Sequence, residues 1–130
     1  EEWYYLLYSR PNAYSKKGNA VVNGVNGIMI LPDNWTTPSG LLFTPGGSNV
    51  YDGTDWLNME AAGAVFLPKG GYRSSSSSSS IGSVGDEGRY WTSSSRAGSA
   101  QYPYYMSDLY IESYYTIPGY YGLAVRLVKD

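Results

Sequence analysis

Eight tyrosines fall between Tyr102 and Tyr121, inside the stretch AQYPYYMSDLYIESYYTIPGYYGLAV that spans residues 100–125. Each offers a large rigid surface, a polar tip and only two side-chain torsions to immobilise, which suits recognition by contact. Tyr102, Tyr104, Tyr105, Tyr110, Tyr114, Tyr115, Tyr120 and Tyr121 are interspersed with Ser107, Asp108, Ser113 and Gly119. Antibody paratopes use the same palette. Alternation turns Leu109 and Ile111 toward a core and puts Asp108, Tyr110 and Glu112 on the opposite, outer face. Adjacent strand residues point to opposite faces, so in a strand the pairs Tyr104–Tyr105, Tyr114–Tyr115 and Tyr120–Tyr121 each send at least one ring away from the core. A contiguous cluster would exceed the few hundred Å² (roughly) that mark an interaction site. The candidate ligand-binding residues are Arg96, Tyr102, Tyr104, Tyr105, Ser107, Asp108, Tyr110, Glu112, Tyr114, Tyr115, Tyr120 and Tyr121.

Other chemistries find little support. The chain has no cysteine and no histidine, which removes thiolate nucleophiles, imidazole acid–base catalysis and the usual zinc sites. Asp52, Asp55 and Glu60 lie near one predicted helix, and Asp86 and Glu87 form an acidic pair. Neither group has the spacing of a calcium loop. No catalytic residue, metal site or cofactor is expected. Net charge is -2 with no basic stripe, so binding to nucleic acid is not expected. No apolar run approaches the roughly 20 residues needed to span a bilayer, so the domain itself is expected to make no membrane contact.

The elements that must position these residues follow from periodicity. Residues 1–10 read as an amphipathic helix, with Trp3, Leu6, Leu7 and Arg10 at helical spacing and Pro11 as the stop. In NAVVNGVNGIMIL, residues 19–31, strand formers are punctuated by two Asn-Gly pairs, which predicts a tight hairpin. Pro32, Pro38 and Pro45 mark a long ordered loop pinned by Trp35 and Phe43. A second helix is predicted over 54–62, with Thr54 as N-cap and Gly63 as a left-handed stop. AVFLP follows as a short buried strand. The Gly/Ser-rich run through Ser74–Ser80 reads as a solvated loop tethered at both ends. Strands are predicted at Arg89–Ser94, Asp108–Tyr114 and Gly122–Val128, with Val125 in the core set. Trp3, Trp35, Trp56 and Trp91 read as core packing, and Arg126, inside LAVRLV, as a structural cation paired with Glu60 or Asp130. The outline is α+β: two helices, then a small antiparallel sheet from the second half.

The motifs EEWYYLL, VNGVNGIMILPDNW, WLNMEAAGAVFLPKGGYR, GRYWTSSS, LYI and GLAVRLVKD resemble, in that order, the Fibrobacter succinogenes major paralogous domain family. The resemblance covers nearly the whole chain, which implies a single domain over 1–130. It implies a C-type lectin-like fold, with two helices flanking a small twisted antiparallel sheet and long loops. It extends to the variable proteins of diversity-generating retroelements, whose C-terminal segment is mutated at template adenines. Residues 89–128 resemble such a variable region. Tyr90, Trp91, Leu109, Ile111, Gly122, Val125, Arg126 and Leu127 would then be framework, and the Tyr, Ser, Asp and Gly between them products of mutation. Calcium-dependent sugar binding is not implied, because YWTSSS stands where a Trp-Asn-Asp element would lie. The sulfatase-modifying relatives work through cysteines that this chain lacks.

The expected function is therefore a ligand-binding module of receptor or adhesin type, not an enzyme. Its partner would be a protein or other surface ligand, with a glycan as the alternative. Other readings are a structural adhesin domain without diversification and an aromatic-stacking carbohydrate binder. The opening EEWYYLL reads as helix interior, so the chain reads as a piece of a longer protein whose anchor lies elsewhere. The expected setting is a bacterial cell surface, the extracellular space or a phage particle.

Overall fold

Asn23 and Gly24 close the first hairpin with φ of 50° and 78°. Positive φ at both central residues is what a type I′ turn requires. The computed structural model describes residues 2–74, 80–91, 103–107, 110–112 and 121–125; for Glu2, 103–107 and 110–112 it describes the backbone. Within it the chain divides into two compact units, one over Glu2–Pro68 and one from Lys69 onward.

The first unit begins with α1 (Glu2–Tyr4), which widens into a π-helical stretch, Tyr5–Ser9. The Arg10 amide donates to the Tyr5 carbonyl at 3.0 Å, and Arg10 itself is extended (ψ 154°), as the residue before a proline prefers. A 3-10 turn, Ala13–Lys16, leads into β1 (Lys17–Val22) and β2 (Val25–Ile30). β3 (Ser48–Tyr51) pairs parallel to β1, and β4 (Val65–Pro68) pairs antiparallel to β2. The sheet is mixed, in the order β3-β1-β2-β4. The main helix, α2 (Gly53–Ala61), connects β3 to β4. The fold is thus α+β, with one main helix and its larger sheet in the first half of the chain; the small sheet expected from the second half is not the principal one. The parallel β1–β3 pair escaped prediction because the proline-rich loop hides the return of the chain.

Ala20, Val22, Met29, Leu31, Tyr51, Met59 and Ala64 form the core, with Trp35, Leu41, Phe43, Trp56 and Phe66 packed against it. Trp35 and Phe43 hold the long loop as expected. Asn49 completes the hold: its Oδ1 accepts from the Thr44 amide at 2.8 Å, and its Nδ2 donates to the carbonyls of Asn19 (2.9 Å) and Thr44 (3.1 Å). Gly27 lets β4 approach closely, because a Cβ there would lie 2.4 Å from the Phe66 ring and 2.5 Å from the Leu67 carbonyl oxygen.

The α2 boundaries correct one expectation. The N-cap is Asp52, not Thr54: the Asp52 Oδ1 accepts from the amides of Thr54 (2.8 Å) and Asp55 (2.9 Å). A carboxylate reaches two orphan donors and also suits the positive helix end. At the other end Gly63, with φ of 99°, donates to the Glu60 carbonyl at 2.8 Å, and Ala64 donates to Met59 at 3.0 Å. This is the Schellman pattern, and it carries the chain into β4.

The second unit holds a three-stranded antiparallel sheet in the order β5-β6-β7: β5 (Glu87–Trp91), β6 (Pro103–Ser107) and β7 (Tyr110–Glu112). β5 starts two residues before the predicted Arg89, and β7 falls inside the predicted Asp108–Tyr114. β6 was missed; a proline at the first position of a strand is compatible with pairing but masks the alternation. Gly122 and Ala124 make isolated bridges to Arg73 and Tyr90. Val125 is 64% exposed, against its expected place in the core. Among the described residues, its segment pairs through single bridges at Gly122 and Ala124 and not through a continuous strand. On either side of the Gly/Ser-rich run, whose residues 75–79 lie outside the described ones, Tyr72 and Gly82 exchange two backbone hydrogen bonds of 3.1 and 3.0 Å.

Candidate functional site

The register of the second sheet sorts the predicted residues. Arg89 pairs with Tyr105, Glu87 with Ser107, Tyr105 with Glu112 and Ser107 with Tyr110. Paired residues of antiparallel strands share a face. Tyr105, Ser107, Tyr110 and Glu112 therefore fall on the face that carries Glu87, Arg89 and Trp91. Tyr104, which pairs with Tyr90, and Ile111, which pairs with Met106, fall on the other. Tyr90 on that second face is buried, at 3% exposure. The Tyr104–Tyr105 pair is split between the faces, as strand alternation requires.

Tyr72 and Tyr121 adjoin this face. Arg73 and Gly122 exchange two backbone hydrogen bonds of 2.9 Å, which sets Tyr72 and Tyr121 diagonally across the bridge. Their rings are 6.3 Å apart between centroids and within 6° of parallel. The Arg89 guanidinium carbon lies 3.4 Å over the Tyr72 ring. Arg89 Nη2 donates to Glu87 Oε2 at 3.1 Å. Both rings are partly exposed. The cation is thus covered by a carboxylate and an aromatic face, and the phenols beside it present flat, amphipathic surface.

Arg96, Tyr102, Asp108, Tyr114, Tyr115 and Tyr120 lie outside the described residues, as do Leu109 and Arg126. Tyr72, Glu87 and Arg89 were not among the predicted site residues. The i, i+2 spacing of Glu87 and Arg89 put them on one strand face; nothing in the sequence linked Tyr72 to them. Among the described residues no group of three or more acidic, histidine or cysteine side chains could hold a metal ion. No described helix is long and apolar enough to cross a membrane.

The first unit carries a second concentration of charge and aromatic rings. Lys17 is buried; its Nζ donates to the Leu7 carbonyl and lies 4.0 Å over the Tyr8 ring and 5.1 Å from that of Tyr14. Burial, and then the nearby Arg10, push its ammonium below the usual lysine range. Arg10, also buried, donates to Asp33 Oδ1 (3.1 Å) and to the Leu31 carbonyl (2.8 Å). These bonds fasten the end of the N-terminal helix to the residues beside β1 and β2, which is a structural task.

No known protein family, curated protein or solved structure matches the chain.

Proposed function

We propose that the chain is a ligand-binding module of receptor or adhesin type. Its recognition face would be the tyrosine- and serine-rich side of the β5-β6-β7 sheet, and its scaffold C-type lectin-like. The observation that carries this reading is the shared face: Tyr105, Ser107, Tyr110 and Glu112 occupy one side of the sheet with Arg89, while buried Tyr90 occupies the other. A face of this composition binds by burying rigid phenols and offering hydroxyls for hydrogen bonds. The motif resemblance adds that residues 89–128 are diversified by a retroelement, so ligand choice would differ among copies. The setting would be a bacterial surface, the extracellular space or a phage particle.

The near-parallel rings of Tyr72 and Tyr121 favour one second reading, a carbohydrate binder that stacks sugars on phenols. Arrays of surface proteins and of glycans, probed with the purified domain, separate the two. The triple change Tyr105→Ser, Tyr110→Ser, Tyr121→Ser should abolish the hits and keep the far-UV spectrum and cooperative melting. Hits that survive the triple change would sink the assignment of the face. Diversification has its own test, a near-identical coding repeat of residues 89–128 that differs only at adenines.

A further inference from the structure

We infer that Glu87, Arg89 and Tyr72 form a fixed brace that orients the ring of Tyr121 before any ligand arrives, which makes Tyr72 a positioning residue of the recognition face. The inference rests on the ligand-binding reading above. Its geometry is a relay of contacts: the Glu87 carboxylate holds the Arg89 guanidinium at 3.1 Å, the guanidinium lies 3.4 Å over Tyr72, and Tyr72 lies parallel to Tyr121 within 6°. The side chains of Arg89 and Glu87 are only 17% and 21% exposed, so this pair is partly shielded from solvent and held in place. The backbone fixes both ring-bearing segments, Tyr72 through Gly82 and Tyr121 through the Arg73–Gly122 bridge. Tyr72 and Glu87 precede residue 89, so every copy diversified over 89–128 would inherit them. In copies that keep Arg89, the first residue of that region, the inherited ring and carboxylate would then organise whatever residue stands at position 121, with aromatic residues gaining most from the stack.

Preorganisation removes the cost of ordering a side chain on binding, here worth about 3- to 10-fold in affinity for one ring. The direct test needs no ligand. With 3-fluorotyrosine at position 121, fluorine NMR should show one dispersed resonance in the native chain. Tyr72→Leu should move it toward the free-tyrosine position, Tyr72→Phe should restore it, and Arg89→Lys, which loses the planar stack, should shift it partway. A resonance unmoved by Tyr72→Leu in a chain that still melts cooperatively overturns the brace. If Tyr72→Leu fails to fold, Arg89→Lys and Glu87→Gln carry the same comparison. Array hits that persist while the 121 signal is free and insensitive to residue 72 defeat the brace and leave the binding reading standing. A dispersed, Tyr72-dependent signal with empty arrays defeats the binding reading and leaves the brace standing.

Discussion

The guanidinium carbon of Arg89 lies 3.4 Å over the ring of Tyr72, seventeen positions earlier in the chain. The contact spans two segments joined by no common strand, so its strength is measurable apart from either. A double-mutant cycle of Arg89→Gln and Tyr72→Leu, followed by urea unfolding, should give a coupling of about 0.5–2 kcal/mol, the range for a cation over a ring between exposed and desolvated settings. Additive losses would mean that the two side chains do not cooperate.

The helix cap makes a sharper comparison. Asp52→Ala removes the acceptor for two amides at the start of α2 and should cost about 1 kcal/mol. Thr54→Ala, at the position the sequence favoured, should cost a few tenths at most, about the scale of surface changes. The reverse order in thermal or urea midpoints would return the cap to Thr54.

Gly27 should resist every replacement. In Gly27→Ala the new methyl meets both the Phe66 ring and the Leu67 carbonyl oxygen, at 2.4 and 2.5 Å. The ring can move; the carbonyl belongs to the neighbouring strand and cannot without loss of pairing. Overpacking of this kind costs about 1–3 kcal/mol and sometimes more. Phe66→Leu in the same chain should recover only part of the loss, and full recovery in denaturant midpoints would show that the backbone contact is unimportant.

Two groups give opposite alkaline slopes. Lys17 has its pKa lowered from 10.5, by burial and then by Arg10, so the native chain releases that proton before the unfolded chain does. Between the lowered value and 10.5 the unfolded state binds more protons, and stability rises with pH. Tyr51 has its pKa raised above 10.0, by burial and then by Asp55, so the native chain keeps a proton that the unfolded chain loses. Above about pH 10 the Tyr51 phenol makes stability fall as pH rises. Urea midpoints across the alkaline range should therefore climb less steeply in Lys17→Met and decline less steeply in Tyr51→Phe. Identical slopes in parent and variants would refute the assignment.

The sequence disclosed what short-range physics decides. The two Asn-Gly pairs announced a tight hairpin, though not that Asn23–Gly24 rather than Asn26–Gly27 closes it; Gly63 announced its helix stop, and alternation placed Tyr110 and Glu112 apart from Ile111. It did not disclose what depends on distant segments meeting. The parallel pairing of β3 with β1 follows a loop of irregular backbone, and β6 begins on a proline that breaks the pattern. Asp52 outcompeted Thr54 because one carboxylate oxygen accepts from two amides, which propensity alone does not weigh. Tyr72 joined the candidate face through the Gly71–Gly88 bridge to β5, its own bridge to Gly82 and the neighbouring Arg73–Gly122 bridge, contacts that no local window contains.

The core cluster of the first unit draws all seven of its residues, Ala20 through Ala64, from positions before Lys69. Under the proposed variation, heritable novelty is confined to codons 89–128 and never rewrites a side chain of that cluster. Mutational load then has a boundary in the gene. A failed draw can spoil recognition or the second sheet, yet it leaves the composition of the first half's interior as it was inherited. A lineage carrying such a gene could explore many recognition surfaces in parallel without re-evolving the half that holds the mixed sheet.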